Sequence, residues 1–242
     1  LMKTRIYFIF ILTLVFAYSC INVNDSGSGI KYRVVEGTSV VEDSAYYIIN
    51  LEYPYFSGDD EKHSLDTLNH TIQSLLDTAA RYYWGVEPDS AIVLIDETEA
   101  AGRYELYNTY QILDTTPDII SILMETYSYS LGAHGFTALH TYNIDVQKGK
   151  FIVLGDVHDL SNPENIDELN RLLTKNFNNP EDCFIDNPTA DEHFELFGIE
   201  PGNLAFFYEA YALGPYYCGW VKVLVPSEEL KSAGLWKWDG DI

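Results

Sequence analysis

Apolar and polar residues alternate along much of this chain, while helical spacing of apolar residues is sustained in only two long segments, and that imbalance limits the folds open to it. A strand exposes successive side chains on opposite faces, so alternation marks a ribbon with one buried side. In "AYYIINLEYPYF", Tyr47, Ile49, Leu51, Tyr53 and Tyr55 fall on one parity, with Asn50 and Glu52 on the other. "RYELYNTYQIL" repeats the pattern through Tyr104, Leu106, Tyr110 and Ile112. "DIISILMETYSYS" opens on an apolar run expected to be buried on both faces. "GKFIVLGDV" is expected to pair back through Gln147 to Gly149 as a hairpin, and "NLAFFYEAY" and "WVKVLVP" read as the last strands.

Between these lie the two helices. From Ser64, the residues Leu65, Leu68, Ile72, Leu75, Leu76, Ala79 and Tyr83 recur at helical spacing, and Gly85 and Pro88 end the run. The second helix has Asn162 as N-cap and Pro163 in its first turn, with Ile166, Leu169, Leu172, Leu173 and Phe177 on the apolar side. Ser227 is expected to cap a short closing helix that stops at Gly234. Without a regular strand–helix–strand rhythm, the expected class is α+β: a largely antiparallel sheet, two main helices, and two small subdomains sharing a core.

One stretch carries the chemistry question. "LGAHGFTALHTYNIDVQKGK" sets His134 in a turn bracketed by Gly132 and Gly135, with His140 six residues on. If Phe136 to Val146 is a strand, His140 shares the apolar row with Phe136, Ala138, Tyr142, Ile144 and Val146, as a core histidine would. Thr137, Leu139, Thr141, Asn143 and Asp145 make the more polar row. The glycines suit a turn needing positive φ. A zinc site would have to gather His134, His140, His158 and Asp156, because three or four ligands must converge at about 2 Å. No HExxH spacing or paired-cysteine motif forces that convergence, so no metal, cofactor or catalytic residue is expected, and Gly132, His134, Gly135 and His140 are read as scaffold. A nucleophile elbow is also absent, and neither Cys183 nor Cys218 has a basic neighbour to activate it.

The N-terminus is of another kind. Lys3 and Arg5 precede an apolar run from Ile6 to Ala17 that is too short to span a membrane, as in a secretory signal. Cys20 after a small residue resembles the lipidation site of a bacterial lipoprotein, and Gly/Ser-rich Ile21 to Gly29 reads as a tether. The expected division is therefore signal 1–19, lipidated tether 20–30, N-terminal subdomain 31–146 and C-terminal domain 147–242. Outside the cytoplasm, Cys183 and Cys218 could form a disulfide, or pack as small hydrophobes in "DCFI" and "YYCGW".

Charge narrows the partners. With 37 acidic residues against 14 basic, the formal net charge is −23, which repels nucleic acid and attracts cationic partners. No basic run occurs, so nucleic-acid binding is excluded and the membrane is met through the lipid alone. Asp59, Asp60 and Glu61 are candidates for steering a ligand, and Tyr216, Tyr217 and Trp220 for contact.

"LEYPYFSG", "LDTLNHTIQSLL" and "SYSLGAHGFTALHTYNIDVQKGKFIVLGDV" resemble the N-terminal module of the C-type peptidoglycan deacetylase and its relatives. "FGIEPGNLAFFYEAYALGPYYCGWVKVLVPSEEL" resembles the domain of unknown function 3298 that follows it. The likeness covers about Lys31 to Ala233 and rests on Tyr53-Pro54, Asn69 with Ile72, the Gly132 to Gly135 turn and "GPYYCG" to "VP". The pair also forms the lysozyme-binding part of the anti-sigma-V factor. The Asp-Asp and His-x-x-x-His metal motifs of the deacetylase's separate catalytic domain are absent here, and Cys218 departs from the small residue relatives tend to carry. The resemblance implies a membrane-anchored extracytoplasmic binding module for a basic protein such as a muramidase, or for an envelope glycan. The competing expectation is an envelope-carbohydrate enzyme using acidic residues or a histidine-bound metal.

Overall fold

The computed structural model describes residues 32–43, 47–58, 63–84, 103–116, 118–179, 182–191 and 193–238. The expected signal, tether and Cys20 lie outside them, as do Asp59, Asp60 and Glu61. Strands β1 (Tyr32–Asp43), β2 (Tyr47–Gly58), β3 (Tyr104–Thr115), β4 (Ile119–Tyr129), β5 (Phe136–Asp145) and β6 (Lys150–Phe151) form a six-stranded sheet in chain order. Helix α1 (Ser64–Trp84) connects β2 to β3, whose pairing is parallel; every other neighbouring pair is antiparallel. A second sheet holds β7 (Phe197–Glu200), β8 (Asn203–Tyr208) and β9 (Val221–Pro226). Helices α2 (Leu154–Val157) and α3 (Pro163–Asn176) precede it, and α4 (Ser227–Ser232) follows.

Side-chain parity stacks these elements in four layers. Even-numbered residues of β4, Ile120, Ile122 and Met124, pack with Leu68, Ile72 and Leu76 of α1. On the opposite parity, Leu123 meets Leu139, Ala205 and Phe207 between the two sheets. The outer face of the second sheet, with Leu204, Phe206, Val223 and Val225, buries Leu169, Leu172 and Leu173 of α3. The class is α+β, as the alternation implied. At Gly198 the two sheets approach closely: a Cβ there would land on the Leu113 side chain.

The first sheet also splits internally where β2 and β3 diverge. The β2–β3 ladder ends at the Leu51–Asn108 pair, and among the described residues no strand pairs with Glu52 and Phe56 on that side. Side-chain amides replace it. Asn108 donates to the Glu52 carbonyl at 2.7 Å, and Asn69 of α1 both donates to and accepts from the Phe56 backbone, at 2.7 and 2.9 Å. Beyond Leu51 the burial parity inverts, so Pro54 and Phe56 are buried while Tyr55 is exposed, contrary to the single apolar row expected through Tyr53 and Tyr55. The strand is freed from β3 there, and the Asn69 clamp turns its other row inward.

Other expectations shift in detail. The strand β1 falls in a segment whose pattern gave no expectation. The hairpin after Gln147 shrinks to two residues of β6 before α2 begins. Asn162 caps α3 by accepting from the Glu164 N–H at 2.9 Å, with Pro163 in its first turn. Ser227 is the first residue of α4 and is buried, while Pro226 holds the cap position.

Candidate functional site

The bend between β4 and β5 builds one end of the sandwich. Its left-handed residue is Leu131, at φ 60°; Gly132 and Gly135 are not at positive φ, so the glycines are not there for backbone freedom. Gly135 supplies room instead, because a Cβ would run into the Tyr127 ring. The Gly135 carbonyl accepts twice, from Tyr216 Oη at 2.6 Å and from His134 Nδ1 at 2.8 Å. A carbonyl has no proton, so Nδ1 carries the hydrogen, and Nε2, 3.3 Å from the Tyr211 hydroxyl, accepts.

Three rings assemble around this bend. His134 stacks on Tyr216 with centroids 4.0 Å apart, and Tyr211 lies 5.5 Å from Tyr216. Tyr211 holds φ 74°, a left-handed value that costs a non-glycine residue, and is 59% exposed. The Cys183–Cys218 disulfide anchors the helical turn Tyr216–Cys218 to the segment before it. Tyr217 and Ile185, on either side of that bridge, are each 81% exposed. Packed rings and exposed apolar side chains thus lie near the bend and the disulfide, a composition found at protein contacts. Carboxylates border it: Glu125 accepts from the Trp220 indole at 3.1 Å, and Glu209 from the Leu139 N–H at 2.7 Å. Burial, then Glu105 and the neighbouring tyrosines, raise the Tyr127 phenol, so it stays protonated.

The expected site residues separate. Tyr216 and Tyr217 stand on this surface. Trp220 is half-buried, packs on Phe207 and spends its N–H on Glu125. His140 lies opposite Met124 on the α1 face and is half-buried; burial lowers its pKa, against the pull of Glu209. The polar row it was contrasted with is the more deeply enclosed, with Leu139, Asn143 and Asp145 all buried. His158 is fully buried beside the Trp236 bridge, and Asp156 pairs with Lys150 at 3.2 Å. His134, His140, His158 and Asp156 therefore do not converge, and among the described residues no group of three or more His, Cys, Asp or Glu is placed to hold a metal ion.

A second feature was not legible. A cleft of about 570 Å³ opens where β6 stops, lined by Thr71 of α1, Thr141 and Tyr142 of β5, Phe151, and His193 to Glu195. No motif marks it, because its walls come from segments far apart in sequence.

Residues 40–137 match the family described as deacetylase PdaC. The chain is 23% identical over 211 residues to the peptidoglycan-N-acetylmuramic acid deacetylase PdaC of Bacillus subtilis (strain 168), an alignment covering 83% of this chain. It spans 42% of that relative's length. Among solved structures, a DUF3298 family member from Bacteroides fragilis superposes with a TM-score of 0.59 at 17% identity, covering 85% of this chain and 94% of that one. A DUF3298 family protein from Pseudomonas aeruginosa PAO1 gives 0.53 at 14% identity, covering 87% and 95%. Residues 40–137 thus resemble the deacetylase PdaC family, and the fold is the one seen in the DUF3298 family structures.

Proposed function

We propose that this chain is an extracytoplasmic, cell-wall-associated binding module, held to a membrane through lipid on Cys20, that docks a basic protein of the muramidase type. The observation that carries the reading is the set of packed rings of His134, Tyr211 and Tyr216, with Tyr217 and Ile185 exposed beside the disulfide, on a protein of net charge −23. Aromatic anchors already fixed in place lose little side-chain entropy on binding, and the acidic field speeds encounter with a cationic partner. The name of the Bacillus relative, a peptidoglycan deacetylase, supports the cell-wall setting.

Lysozyme is the probe. Titrated into the full chain at about 20, 150 and 500 mM salt, it is expected to bind most tightly at the lowest salt, since the Debye length contracts across that range. Tyr217→Ala is expected to weaken binding about tenfold or more, as for a truncated aromatic anchor. Binding indifferent to salt, or absent at 20 mM, would remove the reading.

A further inference from the structure

Among the described residues, the second sheet covers only part of the face turned toward it. Leu123 and Leu139 carry the apolar packing there, with Leu113, Leu196 and Trp220 around them. Past Leu123 the same face of β4 continues through Glu125, Tyr127 and Tyr129, since alternate residues of a strand share a side. Residues directly opposite in an antiparallel pair also share a face. Strand β3 therefore adds Thr109 beside Glu125, Tyr107 beside Tyr127 and Glu105 beside Tyr129. The Tyr107 and Tyr127 rings lie 6.1 Å apart, tilted by 39°. Glu105, Tyr107, Glu125, Tyr127 and Tyr129 are each half-buried, so a floor of rings meets solvent.

Charge surrounds these rings. Glu105 sits one step along the face from the Tyr107–Tyr127 pair, and Glu125 one step along on the other side. Among the described residues neither carboxylate is in an ion pair. Both oxygens of Glu125 already accept from neutral donors, the Gln111 amide at 3.0 Å and the Trp220 indole at 3.1 Å. Glu125 thus contributes its charge more than its hydrogen-bonding capacity. An ammonium or guanidinium group would leave water for ring faces that accept few of its N–H bonds. A quaternary ammonium has no N–H to satisfy. Its methyl groups pack on aromatic faces, while its charge is drawn to the ring quadrupoles and the carboxylates.

From this juxtaposition we infer that the open part of the first sheet's face, floored by Tyr107, Tyr127 and Tyr129 and flanked by Glu105 and Glu125, binds a quaternary ammonium group of the choline type. The net charge of −23 favours cationic ligands in general. The tilted rings select the methylated cation among them. This floor is distinct from the exposed Tyr217 and Ile185 surface and from the cleft beside β5, and the inference does not rest on the muramidase reading.

The probe is choline chloride, titrated calorimetrically into the full chain at constant ionic strength. Two controls run alongside: the neutral isostere in which tert-butyl replaces trimethylammonium, and ethanolamine, which keeps the charge but carries N–H donors. Saturable binding is expected, with choline about tenfold or more tighter than either control. Tyr107→Leu removes a ring while keeping an apolar strand residue, and is expected to weaken choline binding about tenfold; Tyr107→Phe keeps the ring and should stay within about twofold of the parent. Glu105→Gln removes charge at nearly constant shape and is expected to weaken binding about threefold or more. Should Tyr107→Leu not fold, Glu105→Gln carries the test. Absent saturation, equal binding of the neutral isostere, equal binding of ethanolamine, or unchanged choline binding in Tyr107→Leu and Glu105→Gln would each overturn the inference.

Discussion

His158 concentrates a stability cost in one side chain. It has no exposed surface, and neither ring nitrogen has a hydrogen-bond partner. Burial pushes its imidazole down to about 4, with Asp159 opposing and Lys237 adding to the shift. In the unfolded chain the ring titrates near 6.5, so between these values the unfolded state binds the extra proton. The folded state is therefore favoured fully above about pH 6.5, and loses about 3 kcal/mol as pH falls through the window to 4. Urea unfolding of the parent and of His158→Leu at pH 7, 6 and 5 checks this: the variant is expected to lose the smaller part of its stability on acidification. Parallel pH slopes would show that another group is responsible. An isolated buried histidine leaves no sequence signal, since the segment bridged to it, at Trp236, lies far along the chain.

Strand β5 shows how an element's two faces acquire their meaning. Its polar row holds the sheets together: the Ile199 N–H donates to Ser121 Oγ at 2.9 Å, Ser121 donates to Asn143 Oδ1 at 2.6 Å, and Asn143 Nδ2 donates to the Phe197 carbonyl at 2.8 Å. The link runs from β7 through β4 and β5 and back, wholly buried. Asn143→Leu would strand the Ser121 hydroxyl and the Phe197 carbonyl, at about 1–3 kcal/mol for each buried group left unsatisfied. Chemical denaturation should show a loss of about 2–4 kcal/mol, and a loss under about 0.5 would mean that the pairs are solvated. The same alternation that located the strand could not say which row faced the second sheet, because Asn and Thr on a strand suit water or a paired interior equally well.

At the scale of the molecule, the Cys183–Cys218 bridge joins the segment after α3 to the turn before β9, across 35 residues. Closing a loop of that size is worth about 4 kcal/mol in the chain-entropy picture. Cys183→Ala combined with Cys218→Ala is expected to lower stability by about 3–4 kcal/mol in thermal or urea unfolding. It should also loosen the Tyr216–Tyr217 surface, seen as weaker lysozyme binding in the folded variant. Intact stability would show that the packing of Phe184 and Leu213 in the same core suffices on its own.

Local periodicity was enough to place most elements, to cap α3 at Asn162, and to assign an α+β class, since spacing of 2 or 3.6 residues is a property of neighbours along the chain. The glycine bracket drew attention to the bend at Gly132 to Gly135, and loop aromatics to Tyr216, Tyr217 and Trp220, of which Trp220 is half-buried. Tertiary contact alone decided that the bend's glycine makes room for Tyr127, that His134, His140 and His158 lie in separate environments, and that β5 runs past the end of β6 to open a cleft. Those outcomes depend on which distant segments meet, and distance in space is not written into the order of residues.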